Sequence, residues 1–123
     1  RMGVTDILHM QIPCGHAHID GLLNMASHDV AMIHASQVPY DVCDALKKKG
    51  IKLLECPSRI EAKESFAINF VAIEPGTIAM PAGNPRSQEL LEKNGIKVIP
   101  VEFDEIMKGF GAIHCCTAFL KRG

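Results

Sequence analysis

Apolar and polar positions follow the same order twice along the chain. Residues 30–35 and 77–80 are short apolar runs of the length expected for a buried strand. A loop that contains proline follows each run, and a stretch with its apolar residues on one helical face comes next, at residues 39–49 and 86–94. A glycine comes directly after each stretch, where it suits the end of a helix. The pattern therefore predicts a strand followed by a helix, in two copies.

The same pattern extends on both sides of each strand and helix. Each predicted helix leads into a further strand, at residues 51–55 and 96–101. Each apolar strand is preceded by another, at residues 18–26 and 66–73, and Glu74-Pro75-Gly76 has the composition of the turn between the second pair. We therefore predict two units of the order β-β-α-β.

The two units are copies at a fixed period. The segment KGIKLL at position 49 returns as NGIKVI at position 94, a shift of 45 residues. A period of this length indicates units that stack or close around an axis, so that equivalent positions meet near that axis. We expect units at residues 15–56 and 65–102 and the start of a further unit at residues 111–123. Residues 1–123 would then form part of one α/β (α+β) domain.

Composition narrows the function classes. The chain has 123 residues, is 47% hydrophobic and carries a net charge of −1, so it can bury a core and has no feature that favours nucleic acid. No apolar run reaches the roughly 18 residues that a membrane span needs. The five cysteines are an odd number in irregular spacing, which favours free thiols over a disulfide framework. We expect a cytoplasmic protein without a membrane or nucleic-acid partner.

Four groups with metal-binding or acid–base chemistry alternate near the start of the chain. Cys14, His16, His18 and Asp20 would share one face of an extended strand. A zinc site needs three or four ligands and a supporting shell of hydrogen bonds. The first three of these residues could supply ligands, but no downstream residues complete a known pattern. We predict neither a metal nor a cofactor and keep the metal site as an alternative.

The repeat brings a cysteine and a histidine together. His18 lies at the entrance to the first unit, and the equivalent stretch of the third unit, GAIHC, ends at Cys115. The middle unit places Ser65, Phe66 and Asn69 there. His18 and Cys115 are therefore expected to approach each other, and such a pair is the minimum for a thiol nucleophile with an acid–base partner.

Three motifs give the chain a specific resemblance. HID at residues 18–20 resembles the His-x-Asp motif of the guanidine-modifying enzymes of the pentein superfamily, which include arginine and agmatine deiminases, dimethylarginine dimethylaminohydrolases and glycine amidinotransferases. GFGAIHCCT at residues 109–117 resembles their glycine-rich motif, which ends His-Cys-x-Thr and carries the nucleophile. SFAINF at residues 65–70 resembles a strand between the two, most like agmatine deiminases. Phe110 departs from the family pattern because it interrupts a run of glycines.

The resemblance implies both a fold and roles for residues. The fold would be a pentein-type β/α propeller built from ββαβ repeats, of which the chain holds about half of a five-unit ring. By resemblance, Cys115 attacks the guanidinium carbon to form a covalent thiouronium, and His18 protonates the departing amine and then activates water. Asp20 would hold guanidinium nitrogens, and Asn69 would join it in binding the substrate.

The expected function is that of a Cys-dependent hydrolase acting on a small guanidino-containing substrate. An amidinotransferase would use the same residues, with an acceptor amine in place of water. A non-catalytic binding or assembly module of the same fold is the alternative from another class. A partial ring leaves apolar surface and unpaired backbone at its ends, so we also expect a homo-oligomer or pairing with an N-terminal segment.

Overall fold

Two sheets of three strands form the framework of the computed structural model, which describes residues 3–121. The first sheet contains β1 (Leu23–Met25), β2 (Val30–Ile33) and β3 (Lys52–Glu55). Strand β2 pairs antiparallel with β1 and parallel with β3. Helix α1 (Tyr40–Lys48) makes the crossover that the parallel pair requires.

The second sheet repeats this arrangement after a short helix, α2 (Arg59–Lys63). It contains β4 (Val71–Glu74), β5 (Thr77–Pro81) and β6 (Lys97–Val101), and helix α3 (Pro85–Lys93) connects the last two strands. Strand β5 pairs antiparallel with β4 and parallel with β6, as in the first sheet. The predicted order β-β-α-β is therefore present twice, whereas the limits proposed for the units stay predictions.

The residues of these elements explain why they form. All four residues of β2 are buried, as its continuous apolar run requires. Val42 of α1 is buried. Lysines occupy the last turn of the helix, where their positive charge interacts favourably with the negative end of the helix dipole. Gly50 and Gly95 follow α1 and α3 with φ of +79° and +80°, the left-handed conformation that ends a helix.

The first predicted strand begins too early. Residues 18–22 form a 3₁₀-helical turn at Ile19–Gly21, closed by a hydrogen bond of 2.8 Å from the Leu22 amide to the Ile19 carbonyl. The expectation that His18 and Asp20 share one face of a strand is therefore wrong. His18 lies at the start of this turn, and Asp20 lies in its middle. Local hydrogen bonding here replaces pairing with a neighbouring strand.

The strand predicted at residues 66–73 is also shorter than expected. Phe66 has a left-handed backbone, with φ of +53°, and the Asn69 amide donates to its carbonyl at 2.9 Å. This tight turn delays the start of the strand until Val71. Two helices were not predicted, α2 and a single turn, α4 (Asp104–Met107).

One hydrophobic core joins the two sheets. Its buried members come from both units and include Val30, Met32, Leu54, Ile68, Phe70, Ile78, Met80 and Leu91. The side chain of Asn24 in β1 adds a polar link, because its Nδ2 donates to the carbonyls of Ile68 at 2.8 Å and Phe70 at 2.7 Å. The segment that leads into β4 is thereby attached to the first sheet.

A buried carboxylate joins the two helices of the middle region. Glu61 in α2 is 6% exposed, and its carboxylate accepts from the Arg86 amide at 3.1 Å and from the Ser87 amide at 2.8 Å. It also accepts from the Ser87 hydroxyl at 2.6 Å. These donors belong to the first turn of α3, where the amides lack partners within the helix and the dipole favours a negative charge.

Candidate active site

The candidate site lies where three segments meet. Two of them precede the strands β1 and β4, and the third follows the last strand, β6. These segments are the 3₁₀-helical turn at Ile19–Gly21, the tight turn that ends at Asn69, and a second 3₁₀-helical turn at His114–Cys116. The amide of His114 donates to the Asn69 carbonyl at 3.2 Å, which fixes the third segment on the second. Residues far apart in sequence thus share one place.

Asn69 holds Cys115 by both ends of its amide group. Its Nδ2 donates to Cys115 Sγ at 3.1 Å, and its Oδ1 accepts from the Cys115 amide at 3.3 Å. Asn69 is only 2% exposed, so the side chain is fixed in this position. A hydrogen-bond donor directed at sulfur stabilises a negative charge on it. Asn69 therefore contacts the cysteine in this structure, and its predicted contact with a substrate stays a prediction.

Asp20 lies on the other side of the sulfur. The Cys115 thiol donates to Asp20 Oδ2 at 3.4 Å. The same oxygen lies 3.0 Å from His114 Nδ1, and the Asp20 side chain is 13% exposed. A carboxylate this close can hold a cation beside the sulfur, but without a cation it opposes a negative charge there.

His18 lines the same cleft as Cys115. The cleft has a volume of about 640 Å³ and is also bordered by Asp20 and Asn69; we call it the Cys115 cleft. Within residues 3–121, no hydrogen bond joins the His18 ring to Cys115 Sγ. All four residues proposed from the sequence are therefore brought to one cleft, with His18 exposed at its border. The remaining wall includes His16, Lys63, Glu64, Phe66, Met107 and Phe110.

The alternative metal site has no ligand set in the part of the chain that the structure describes. Among residues 3–121, no group of three or more His, Cys, Asp or Glu side chains is placed to hold a metal ion. His16 instead lies near His34, whose pKa is lowered by burial and by the neighbouring His16. The five cysteines are all free thiols, and Cys14 is exposed.

His114 is a site residue that the sequence reasoning did not select. Its ring contacts Asp20 and fixes the orientation of the carboxylate that faces the sulfur. The signal was available, since His114 directly precedes Cys115 and belongs to the His-Cys-x-Thr pattern. The sequence does not show which residue the His114 ring contacts.

Gly111 is a second site residue that was not selected from the sequence. It contributes to the site because it has no side chain next to Cys115. A Cβ atom at this position would lie 3.3 Å from Cys115 Cβ and 3.7 Å from Cys115 Sγ. The absence of a side chain thus lets the backbone pass directly beside the thiol.

Solved structures with the same fold support the pentein-type propeller. The inosamine-phosphate amidinotransferase from Streptomyces griseus matches 92% of this chain and 35% of its own length, with a TM-score of 0.76 and 18% identity. A mutant of DDAH from Pseudomonas aeruginosa, complexed with citrulline, matches 80% of this chain and 34% of its own length, with a TM-score of 0.61 and 25% identity. The predicted fold class is confirmed, and the chain spans about a third of each neighbour.

Sequence comparison gives the family. The uncharacterized protein YkgA of Bacillus subtilis is 31% identical over 106 residues, which cover 86% of this chain and 36% of that protein. The family model described as arginine deiminase matches residues 15–122, a range that contains every residue of the Cys115 cleft. The chain belongs to the arginine deiminase family.

Proposed function

We propose that Cys115 is the nucleophile of an enzyme that acts on a guanidino group held by Asp20. The observation that carries the proposal is the distance of 3.4 Å between Cys115 Sγ and Asp20 Oδ2. A guanidinium is planar and donates paired hydrogen bonds to a carboxylate. A cation bound to Asp20 takes the place of the thiol as donor and brings its carbon against the sulfur.

The residues of the cleft divide the chemistry among them. The Asn69 amide donates to the sulfur and the bound cation neutralises Asp20, so both favour the thiolate. Attack by the thiolate forms a carbon–sulfur bond, and the bond from carbon to the departing amine breaks as His18 gives that amine a proton. A thiouronium remains attached to Cys115.

Hydrolysis completes the proposed reaction. His18 takes a proton from water, the resulting hydroxide attacks the same carbon, and the sulfur leaves with its electron pair. One guanidinium ion and one water thus become an ammonium ion and a neutral ureido product, without a cofactor. His18 is exposed at the border of the cleft, which allows water to reach it. Amidino transfer, with an amine replacing water in this step, stays the alternative.

The family supports this substrate class. The DDAH neighbour is complexed with citrulline, a ureido compound of the kind that hydrolysis of a guanidino group yields. We therefore propose a small guanidino compound as the substrate. His114 would hold Asp20 in the orientation that meets the cation, because its ring lies 3.0 Å from Asp20 Oδ2.

Thiol labelling tests the proposal on the chain itself. The rate of Cys115 modification by 2-chloroacetamidine, a cationic amidine, is compared with that by neutral iodoacetamide, and peptide mass spectrometry locates the label. Asp20 should make the cationic reagent the faster one, relative to the same pair of rates on a free thiol. Cys116, which is also exposed, serves as the internal control, and Cys115→Ser should abolish the selective labelling.

Two results would count against the proposal. One is a ratio of cationic to neutral labelling at Cys115 that equals the ratio at Cys116. The other is an unchanged ratio in Asp20→Asn, which removes the charge but keeps the shape of the side chain.

A further inference from the structure

Two phenylalanines of the Cys115 cleft have a backbone that disfavours them. Within residues 3–121, Phe66 and Phe110 are the two non-glycine residues with positive φ, at +53° and +61°. Both line the Cys115 cleft. Left-handed backbone is strained for a bulky side chain, and such strain concentrates at functional sites. Their shared place therefore calls for an explanation.

The turn that carries Phe110 does not require a ring. The amide of Phe110 donates to the Met107 carbonyl at 3.0 Å, so the residue lies in the turn after α4, with a positive φ that glycine adopts without strain. Its side chain is 92% exposed and gains little from packing. Within residues 3–121, glycine would relieve the backbone and lose almost no contact, so neither the turn nor the core that the structure describes accounts for this residue.

The position of Phe110 relative to the thiol gives it a use. Gly111, the next residue, passes directly beside Cys115, and Phe110 lines the same cleft as the thiol. Phe66 and Met107 supply further apolar wall in the same cleft, and Asp20 supplies the negative charge. Aromatic faces attract cations and bury apolar groups. The cleft is therefore suited to a cation with an apolar substituent.

We propose that Phe110 is a specificity-determining residue whose ring covers the compound bound at Cys115 and favours guanidines with an apolar substituent. The inference rests on the proposed function, because it takes Asp20 as the site of the guanidinium. Phe66, in the tight turn that ends at Asn69, would supply a second aromatic contact in the same cleft. The strain of both residues is retained because the rings are needed at the cleft and not in the core.

Protection of the thiol provides the test. Benzylguanidine and methylguanidine share the cation and differ in the apolar substituent. The concentration of each that halves the rate of Cys115 alkylation by iodoacetamide is measured for the natural chain, for Phe110→Gly, for Phe110→Leu and for Tyr40→Ala. The last variant removes an aromatic ring that is 84% exposed on α1, outside the cleft, and is the matched control.

We expect benzylguanidine to protect the natural chain at about tenfold lower concentration than methylguanidine. Phe110→Gly should remove this difference, Phe110→Leu should keep part of it, and Tyr40→Ala should keep all of it. Phe110→Gly should also raise the melting temperature, because it relieves the left-handed backbone. A structural role for the ring would lower that temperature instead.

Four results would overturn the proposal, and they are distinguishable. Equal protection by both guanidines, or an unchanged difference in Phe110→Gly, removes the role of the ring and leaves the function of Cys115 intact. Self-association that depends on Phe110, with protection unaffected by its replacement, makes the ring a contact between copies. Failure of both guanidines to protect Cys115 removes the proposed function and this inference with it.

Discussion

Asn69 Nδ2 lies 3.1 Å from Cys115 Sγ, and the two residues are 46 positions apart in the sequence. The amide donates to the sulfur and accepts from the cysteine's own backbone, so one buried side chain both positions the thiol and favours its anion. We therefore predict that the reactivity of Cys115 depends on a residue of the middle unit.

Asn69→Asp should slow the alkylation of Cys115 by about tenfold at neutral pH, because a carboxylate replaces the donor and repels the thiolate. The alkylation rate as a function of pH measures this effect. The same variant should lose about 1–3 kcal/mol of unfolding free energy, since a buried group loses its hydrogen-bond geometry. An alkylation rate equal to that of the natural chain would show that the amide does not influence the thiol.

Gly111→Ala should slow alkylation several-fold, because the new methyl group would lie 3.3 Å from Cys115 Cβ and displace the side chain. Gly109→Ala is the matched control, since its methyl group meets the Ile106 carbonyl, also at 3.3 Å, and not the cysteine. Both variants should change unfolding free energy by less than about 2 kcal/mol. Equal slowing in the two variants would mean that general distortion of the turn, and not contact with the thiol, is responsible.

Glu61→Gln should destabilise the chain by about 1–3 kcal/mol, because the substitution turns one acceptor into a donor that faces the donors of α3. Unfolding in urea measures the loss. Glu102→Gln, at an exposed position, should change stability by less than about 0.5 kcal/mol. Equal stability of the two variants would contradict a structural role for the buried carboxylate.

The pKa of His34 is lowered by burial and by the nearby His16, so the folded state disfavours the protonated ring. The stability that depends on the neutral ring is present above the ordinary histidine pKa of about 6.5 and is lost as the pH falls through the lower folded-state value. His34→Gln should therefore lose less unfolding free energy than the natural chain between pH 7 and pH 5. A larger loss in the variant would reverse the sign of this argument.

A second groove, of about 520 Å³, is lined partly by apolar residues, among them Leu23 and Met25 of β1 and Ile73 of β4, and partly by polar ones such as His28 and Glu74. Ile73 is 59% exposed there. We predict that a second copy of the chain or further units of the ring cover this surface, because apolar grooves of monomers are seldom left open to water. Light scattering should show a mass that rises with concentration, and a constant monomer mass would contradict self-association.

The apolar pattern was enough to predict both β-β-α-β units, because residues such as Val30, Val42 and Ile78 are the apolar positions that those elements bury. It was not enough for the entrances to the first strands. The residues around Asp20 alternate and those around Asn69 form an apolar run, as in strands, but local hydrogen bonds hold both in turns. Short-range hydrogen bonding of this kind leaves no periodic signal.

The pairing of residues in the site was predictable only in part. The repeat placed His18 and Cys115 near each other, and the motifs added Asp20. The contact between His114 and Asp20 spans 94 positions and depends on which way a ring turns. The spacing of residues does not contain that information. Helix α2 is a different case, because the sequence contains a signal for its start. Ser58-x-x-Glu61 is typical of a helix N-terminus, and the Glu61 amide donates to Ser58 Oγ at 3.2 Å.

The candidate site takes its residues from three repeat units, which has a consequence for the evolution of the protein. Units copied from one another start with the same residue at each strand entrance, and three identical entrances would face each other with three acids, three amides or three thiols. Here the entrances differ, with Asp20 before β1, Asn69 before β4 and Cys115 in the turn beyond. The reaction proposed for Cys115 therefore requires the three copies to differ at these positions. A substitution that makes two of these three positions identical is expected to keep the fold and to abolish the proposed reaction.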